Sequence, residues 1–334
     1  MPRRPAKLAH CYVPLPLPET EPQNDDDDDA TAQKPRSDGR SANHELRRLC
    51  LETSVIQRAL GSSLVELGHT KVLAEVHIAA AKATRNAAAA SGKQTSNEAT
   101  TEKGSLKCNL QYAPHIGINR VVQLSSSVTP LDGNNNNNSS SNNSSAAPLI
   151  SSGKLHQEVS LREADLSRKL TEALLPVVVL EKYPKCTVVV NTTILQDDGS
   201  CLSAACTAAS MALVDARVEL RDLITSCTVA VVEKQKKKKN NSSNDNDSDD
   251  DDDDDRWVYL ADPTQDEVHS KAALICLAMT PNHKEVTLWS QSGKLSSEMA
   301  SVAMELCRDG CRTMHKFMRE SWVSASEDVE MARQ

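Results

Sequence analysis

No stretch of this 334-residue chain strings together the ~20 apolar residues that a membrane-crossing helix needs, so no membrane partner is expected. The N-terminus is basic and proline-rich, with no apolar run behind it, so it lacks the pattern of a secretory leader. The ten cysteines lack a paired framework. They are scattered through apolar runs such as "SCLSAACTAAS" and "TSCTVAVV", which predicts buried, reduced thiols in a cytosolic or nuclear protein. "CRDGC", Cys307 to Cys311, has no second ligand pair nearby, so helix packing is favoured over zinc. No metal and no cofactor is expected.

What is present divides into core-forming and low-complexity chain. Asp25 to Asp29 is one acidic run, Asn134 to Ser145 is pure Asn and Ser, Lys234 to Lys239 is nearly all Lys, and Asn240 to Asp255 is Asn, Ser and Asp. Such tracts bury too little apolar surface to offset their ordering entropy. The formal charge of -8 belongs to them: without the aspartate tracts and the lysine run, 32 acids face 33 bases. The foldable part is therefore close to neutral, and the acidic balance says little about its partner. These boundaries give a disordered arm over 1–36 and a single domain over 37–325. Low-complexity insertions fall near 80–104, 132–153 and 234–255, and 326–334 is a tail.

Within the domain, "SDGR" at Ser37 to Arg40 is a turn that starts ordered chain. Val55 to Leu60 alternates, Gly61-Ser62-Ser63 reads as a turn, and Leu64 to Leu67 and Lys71 to Ile78 alternate strongly around Gly68-His69-Thr70, predicting a β-meander. "LKCNLQYAP" suggests another strand. Leu161 to Leu180 changes to helical spacing, with Leu166, Leu170, Ala173, Leu174 and Val177 on one face. Cys186 to Leu195 is a β-branched strand, and Ser203 to Leu213 is a helix apolar almost all round, hence buried. "TSCTVAVV" with "RWVYLADP", and "ALICLAMTP" with "KEVTLWSQSG", read as strand pairs. Ser296 to Trp322 is a long helix with Ser296 as N-cap. The order predicts an α+β fold with mixed sheets and packed helices, not a doubly wound nucleotide fold.

Several phrases together resemble one family. "SDGRSANHELRRL", "GSSLVELGHTKVLAEV", "TTILQDDGSCLSAACTAASMALVDARVELRDLI" and "YLADPTQDEVHSKAALICLAMTPNHKEVTLWSQSGKLSSE" are similar to the RNase PH family, in family order from about Arg36 to about Trp322. The family includes bacterial phosphorolytic ribonucleases, polynucleotide phosphorylase and the ring subunits of the RNA exosome. The resemblance implies a single RNase PH-like domain. The implied chemistry is phosphorolysis, in which inorganic phosphate attacks the 3'-terminal phosphodiester of RNA. Cationic groups hold phosphate and RNA, and carboxylates hold a metal ion that stabilises the transferring phosphoryl group.

Against that pattern the chemical positions are empty. Active members carry a Gly-Thr-Arg turn whose Arg binds phosphate; here the matching residues are Ser200, Cys201 and Leu202. Active members also carry two acids six residues apart, and here the positions are Val268 and Leu274. Asp197 and Asp198 match the end of a strand, where a carboxylate caps the turn into the next helix. Arg162 roughly matches one arginine of the family's phosphate and RNA site; a solvated helix-start arginine is the plainer alternative.

The resemblance implies a non-catalytic exosome ring subunit. Its partners would be other RNase PH-like subunits in a hetero-hexameric ring, cap subunits and RNA, and its location nucleus and nucleolus, also cytoplasm. RNA contact in such a ring is electrostatic, with Arg85, Lys103, Lys107 and Arg120 as candidates beside ordinary surface charge. An active phosphate-dependent 3'-to-5' exoribonuclease is one alternative. A free-standing RNA-binding protein using Lys234 to Lys239 as a polybasic hook is another.

Overall fold

The structure, a computed structural model, describes residues 10–12, 36, 38–40, 42–80, 104–116, 152–233, 257–269 and 271–331. Apart from Ala80, Gly104, Ser152 and Gly153 at their ends, the insertion tracts lie outside these residues. Among the described residues ten strands form two sheets. The larger has the order β1-β2-β3-β4-β6-β5, built from β1 (His10–Tyr12), β2 (Leu49–Thr53), β3 (Gly61–Leu67), β4 (Thr70–Ala80), β5 (Ser105–Tyr112) and β6 (Cys186–Gln196). The smaller has the order β10-β9-β7-β8, from β7 (Thr225–Glu233), β8 (Trp257–Ala261), β9 (Ala273–Thr280) and β10 (Glu285–Gly293). The helices are α1 (Ser152–Leu174), α2 (Cys201–Asp215), the short α3 (Gln265–His269) and α4 (Ser297–Met331).

The large sheet is antiparallel except for β5, which runs parallel to β6. Period-2 alternation sets its faces: Val72, Ala74 and Val76 of β4 are fully buried, while Leu73, Glu75 and His77 are half-exposed. Helix α2 packs between β3 and β4 on one side and β7 on the other, so the order of layers is sheet, helix, sheet, with α4 outside β7 and β9. All its residues except Val214 are buried, which the small side chains Ala204, Ala205, Ala208 and Ala209 permit. Its hydroxyls are satisfied locally: Ser203 donates to the Ser226 carbonyl, Thr207 to the Ser203 carbonyl at 3.1 Å, and Ser210 accepts from the Ile224 amide at 3.1 Å. α1 lies against β5, where Ser167 Oγ accepts from the Leu110 amide and Glu163 from the Tyr112 amide, each at 2.8 Å.

The expected α+β fold with mixed sheets and packed helices is the observed one. The predicted helix over Leu161 to Leu180 starts earlier and stops at Leu174, before Pro176, whose ring disfavours a helical predecessor. Ser296 Oγ accepts the Met299 amide at 3.3 Å, so the predicted N-cap is in place.

Some expectations need correction. Gly61-Ser62-Ser63 opens β3 rather than turning, and Val55 to Leu60 is the reversal, with Val55 and Leu60 41% and 45% exposed. Asp215 fixes this arrangement from α2, accepting from Ser54 Oγ at 2.7 Å and the Ser62 amide at 3.0 Å. A Cβ on Gly61 would lie 2.1 Å from the Ala216 amide nitrogen, so only glycine fits there. The arm over 1–36 was expected to be disordered, yet His10–Tyr12 pairs with Leu49–Leu51 as a strand, and Arg36 is buried. Backbone pairing and ion pairs supply there what composition does not. The thiols were expected to be reduced, but Cys50 is disulfide-bonded.

Candidate functional site

Three segments distant in sequence meet where β6 hands over to α2: the "DDGS" turn, the loop after β8, and the chain before β2. In the turn, Asp197 Oδ1 accepts the Gly199 amide at 3.0 Å, and Gly199 and Ser200 take left-handed φ values of +87° and 53°. A Cβ on Gly199 would stand 2.5 Å from the Pro263 carbonyl oxygen, so the turn is pressed against the second loop. Asp198 Oδ1 accepts the Gln265 amide at 3.3 Å, linking the turn to the start of α3. Asp197 and Asp198 therefore shape a junction. Ser200 makes no side-chain cap bond; its hydroxyl donates to the Pro263 carbonyl at 3.4 Å.

Arginines fill the remainder of the junction. Arg47 grips Asp262 bidentately, Nε to Oδ2 at 2.8 Å and Nη2 to Oδ1 at 2.7 Å, and its Nη1 donates to the Asp198 carbonyl at 2.8 Å. The two side chains are 4% and 3% exposed. Arg36 grips Glu267 the same way, at 2.9 and 2.8 Å. Arg40 spans the two pairs, donating to the Glu45 carbonyl at 2.6 Å, the Asp262 carbonyl at 2.9 Å and Asp38 Oδ2 at 2.7 Å. Burial alone would raise the pKa of Asp262, but the charge and hydrogen bonds of Arg47 hold it below the ordinary carboxylate value. Burial likewise favours the protonated form of Glu267, and the hydrogen bonds of Arg36 and the Thr264 amide with the Arg36 charge outweigh it, holding Glu267 below its ordinary value. Burial and the neighbouring Arg36 charge lower Arg40.

This set has charge without availability. Asp262 is committed to Arg47 and Glu267 to Arg36, so neither is a donor for the metal ion that the family's chemistry implies, and the cations beside them oppose one. No group of three or more His, Cys, Asp or Glu suited to a metal ion occurs among the described residues. Cys307 and Cys311 are buried where α4 packs on β7, with a Cβ on Gly310 reaching 2.5 Å from Cys227 Sγ. A hydrogen bond with Cys227 and burial push the Cys307 thiol well up, and burial does the same to Cys311.

Leu202 sits in the first turn of α2, 7% exposed and part of the apolar core. Val268 lies half-buried in α3, which begins at the same junction. Leu274 is half-buried on β9, paired with Ala230 and Ser292, away from that junction in the chain. Arg162 is half-buried on α1, and Lys107 is exposed on β5. The structure does not join these two cations: Lys107 has the register opposite to Cys108 and Leu110, whose side chains face α1's side of the sheet. Arg85, Lys103 and Arg120 lie outside the described residues. Sequence reasoning missed the roles of Arg36, Arg40 and Arg47. The available signal was the basic "RSDGRSANHELRR" set against the acidic "ADPTQDE", phrases of opposite net charge.

The two-sheet arrangement with α2 at its centre is shared with solved exosome proteins. The crystal structure of rice (Oryza sativa) Rrp46 superposes with a TM-score of 0.56 at 20% identity, covering 85% of this chain and 98% of that one. That likeness defines the fold. The sequence pattern of the RNase PH group, described as the 3' exoribonuclease family, domain 1, matches residues 45–219, and the chain belongs to this family. Among its relatives, the exosome complex component RRP41-like of Arabidopsis thaliana is 25% identical over 85% of this chain and 83% of that protein. The human exosome complex component MTR3 is 32% identical over 49% of this chain and 53% of that protein.

Proposed function

We propose that this chain is a non-catalytic ring subunit of the RNA exosome, supporting 3'-to-5' RNA processing and degradation by helping to form the channel that threads RNA. The observation that carries the reading is Leu202. It is packed into the core at the position where the resemblance calls for a phosphate-binding arginine. A buried leucine contributes on the order of 2 kcal/mol to folding and offers phosphate nothing. Val268 and Leu274 stand where the two acids are expected; of the nearby carboxylates, Asp262 and Glu267 are consumed by arginines and Asp266 is exposed on α3. The named relatives are exosome components. "LADPTQDE" with its leading Trp257, and the helix after "GKLSSEM", look most like the ring-subunit type called mRNA transport regulator, to which the human relative belongs.

In this reading other RNase PH-like chains complete a hetero-hexameric ring that carries cap subunits, in the nucleus, nucleolus and cytoplasm. RNA contact is electrostatic and sequence-independent, with Lys107 and Arg162 acting on separate faces. Affinity purification tests the assembly: several homologous chains should co-elute, and a chain that elutes alone overturns it. Incubation with single-stranded RNA and phosphate tests the chemistry. No nucleoside diphosphate is expected, and release that is lost in Asp262→Asn or Glu267→Gln would establish an active exoribonuclease with displaced groups.

A further inference from the structure

At the far end of β6 and α2 from the "DDGS" turn, four connections meet: 54–60 between β2 and β3, 175–185 between α1 and β6, 216–224 between α2 and β7, and 281–284 between β9 and β10. Hydrogen bonds tie them into one surface. Ser54 Oγ donates to Asp215 at the end of α2 at 2.7 Å, the Val179 amide to the Glu219 carbonyl at 3.1 Å, and the Arg221 amide to the Val177 carbonyl at 2.9 Å. The Asn282 amide donates to Asp222 Oδ2 at 3.0 Å, which brings in the fourth connection.

The connections carry six lysines and arginines, all exposed: Arg58, Lys182, Lys185, Arg217, Arg221 and Lys284. Beside them stand the exposed acids Glu181 and Glu219, with Glu285 at the start of β10, while Asp222 is buried. Among the described residues, Lys182 pairs with Glu219 and the other five cations make no ion pair. The arginines of the junction have spent their bonds within the chain; these have not. Lys185, Arg217 and Lys284 also take φ values of 57°, 56° and 58°, a left-handed backbone that favours glycine or asparagine and disfavours a long side chain. Local backbone chemistry therefore does not select a cation at these three positions.

Among the described residues, four of the seven exposed large apolar side chains lie at the same end: Val55, Leu60, Leu175 and, at the start of β10, Val286. A single-stranded RNA site sets stacking aromatics among its cations, and these connections expose no Phe, Tyr or Trp. Tyr183 is half-buried, and its hydroxyl accepts the Glu219 amide at 3.0 Å. Arginine beside exposed apolar side chains is instead the composition of a protein-docking surface.

We propose that this end of the molecule docks a partner chain that presents Asp or Glu interleaved with apolar side chains. Arg217, Arg221 and Lys284 hold the acids, and Leu60 and Leu175 meet the apolar groups. Charge complementarity chooses the occupant: unpaired cations on one surface repel a basic partner and steer an acidic one. The apolar side chains select, among acidic partners, one that covers them. The inference goes beyond the ring reading and rests on no part of it.

The test uses the full chain and fluorescein-labelled probes followed by anisotropy. A synthetic peptide of Glu and Leu should bind at least tenfold more tightly than the same peptide with every Leu replaced by Ser, or with every Glu replaced by Lys. Arg217→Glu with Lys284→Glu should weaken that binding at least tenfold, and Leu60→Ser with Leu175→Ser at least threefold. Lys294→Glu changes an exposed charge at the opposite end of β10 and should leave binding as in the parent. Unchanged midpoints in urea unfolding separate loss of docking from loss of fold. Equal binding of the Glu–Ser peptide would mark a site for any polyanion and overturn the proposal. Oligouridylate that binds through Arg217 and Lys284 while the Glu–Leu peptide stays free would overturn it in favour of RNA. No binding of the Glu–Leu peptide sinks it outright and leaves the ring reading standing.

Discussion

The two sides of the "DDGS" turn are both buried, and they are buried by opposite means. On one side Arg47, Asp262, Arg36 and Glu267 pack charge against charge, every guanidinium aimed at a carboxylate or carbonyl. On the other side α2 packs Ala, Ser, Cys and Leu with no charge along its length until Asp215. Charge survives where it ties distant segments together, and α2 carries none at Leu202. What the arginines and acids of the junction do is decided by where their bonds go, and those bonds are spent within the chain.

The sharpest way to break this contrast is Arg47→Met. It leaves the Asp262 carboxylate buried and unpaired, and an expected loss of about 3–5 kcal/mol should appear in urea unfolding. Arg47→Met with Asp262→Leu should recover most of that loss, because the pair is removed together. If the double variant is as unstable as the single one, the charged side is not exchangeable for an apolar one. On the α2 side, Ala208→Leu overfills a fully buried position where Ser63 Oγ meets the Ala208 carbonyl at 2.6 Å, and about 1–3 kcal/mol should be lost in the same measurement.

A smaller effect sharpens the electrostatic half. Folding lowers the pKa of Asp262, so the unfolded chain binds that proton more readily. Its stabilisation is present above the unfolded value of about 4 and is lost as pH falls through the lower folded value. Asp262→Asn should flatten the acid limb of stability against pH below about 4 and leave its slope near neutrality unchanged. The smallest effect belongs to the exposed Lys107. Lys107→Ala should change stability by less than about 0.5 kcal/mol, and if it touches RNA it should lower the salt dependence of binding by about one unit of slope. An unchanged slope removes it from the RNA surface.

Much of the fold was legible because periodicity is local. β4, β6 and the β9–β10 pair declare themselves by alternation or by β-branching, and α2 by an apolar run too long for a strand. The reversal at Val55 to Leu60 was misread because six alternating residues in a loop carry the same signal as a strand. What fixes them is Asp215, 161 residues from Ser54 in sequence. The resemblance set Leu202, Val268 and Leu274 at the family's chemical positions, a reading that needs only a matched phrase. The buried ion pairs were harder to read, because the basic phrase around Arg36 and Arg47 gives its charge but not its partner in the last third of the chain. Arg162 and Lys107 were both RNA candidates in sequence, and they stand on different elements, α1 and β5.

The separation in sequence between Arg47 and its carboxylate also imposes a timetable. Asp262 follows Arg47 by 215 residues. At synthesis rates of about 5–20 residues per second, the guanidinium waits roughly 10–40 s for its partner. Until then Arg47 can reach only the "DDGS" turn, through the Asp198 carbonyl, although β2, β3 and β4 are already made. The final seal is thus set by a late-arriving loop, so a truncated chain that stops short of residue 262 would leave Arg36 and Arg47 without their carboxylates.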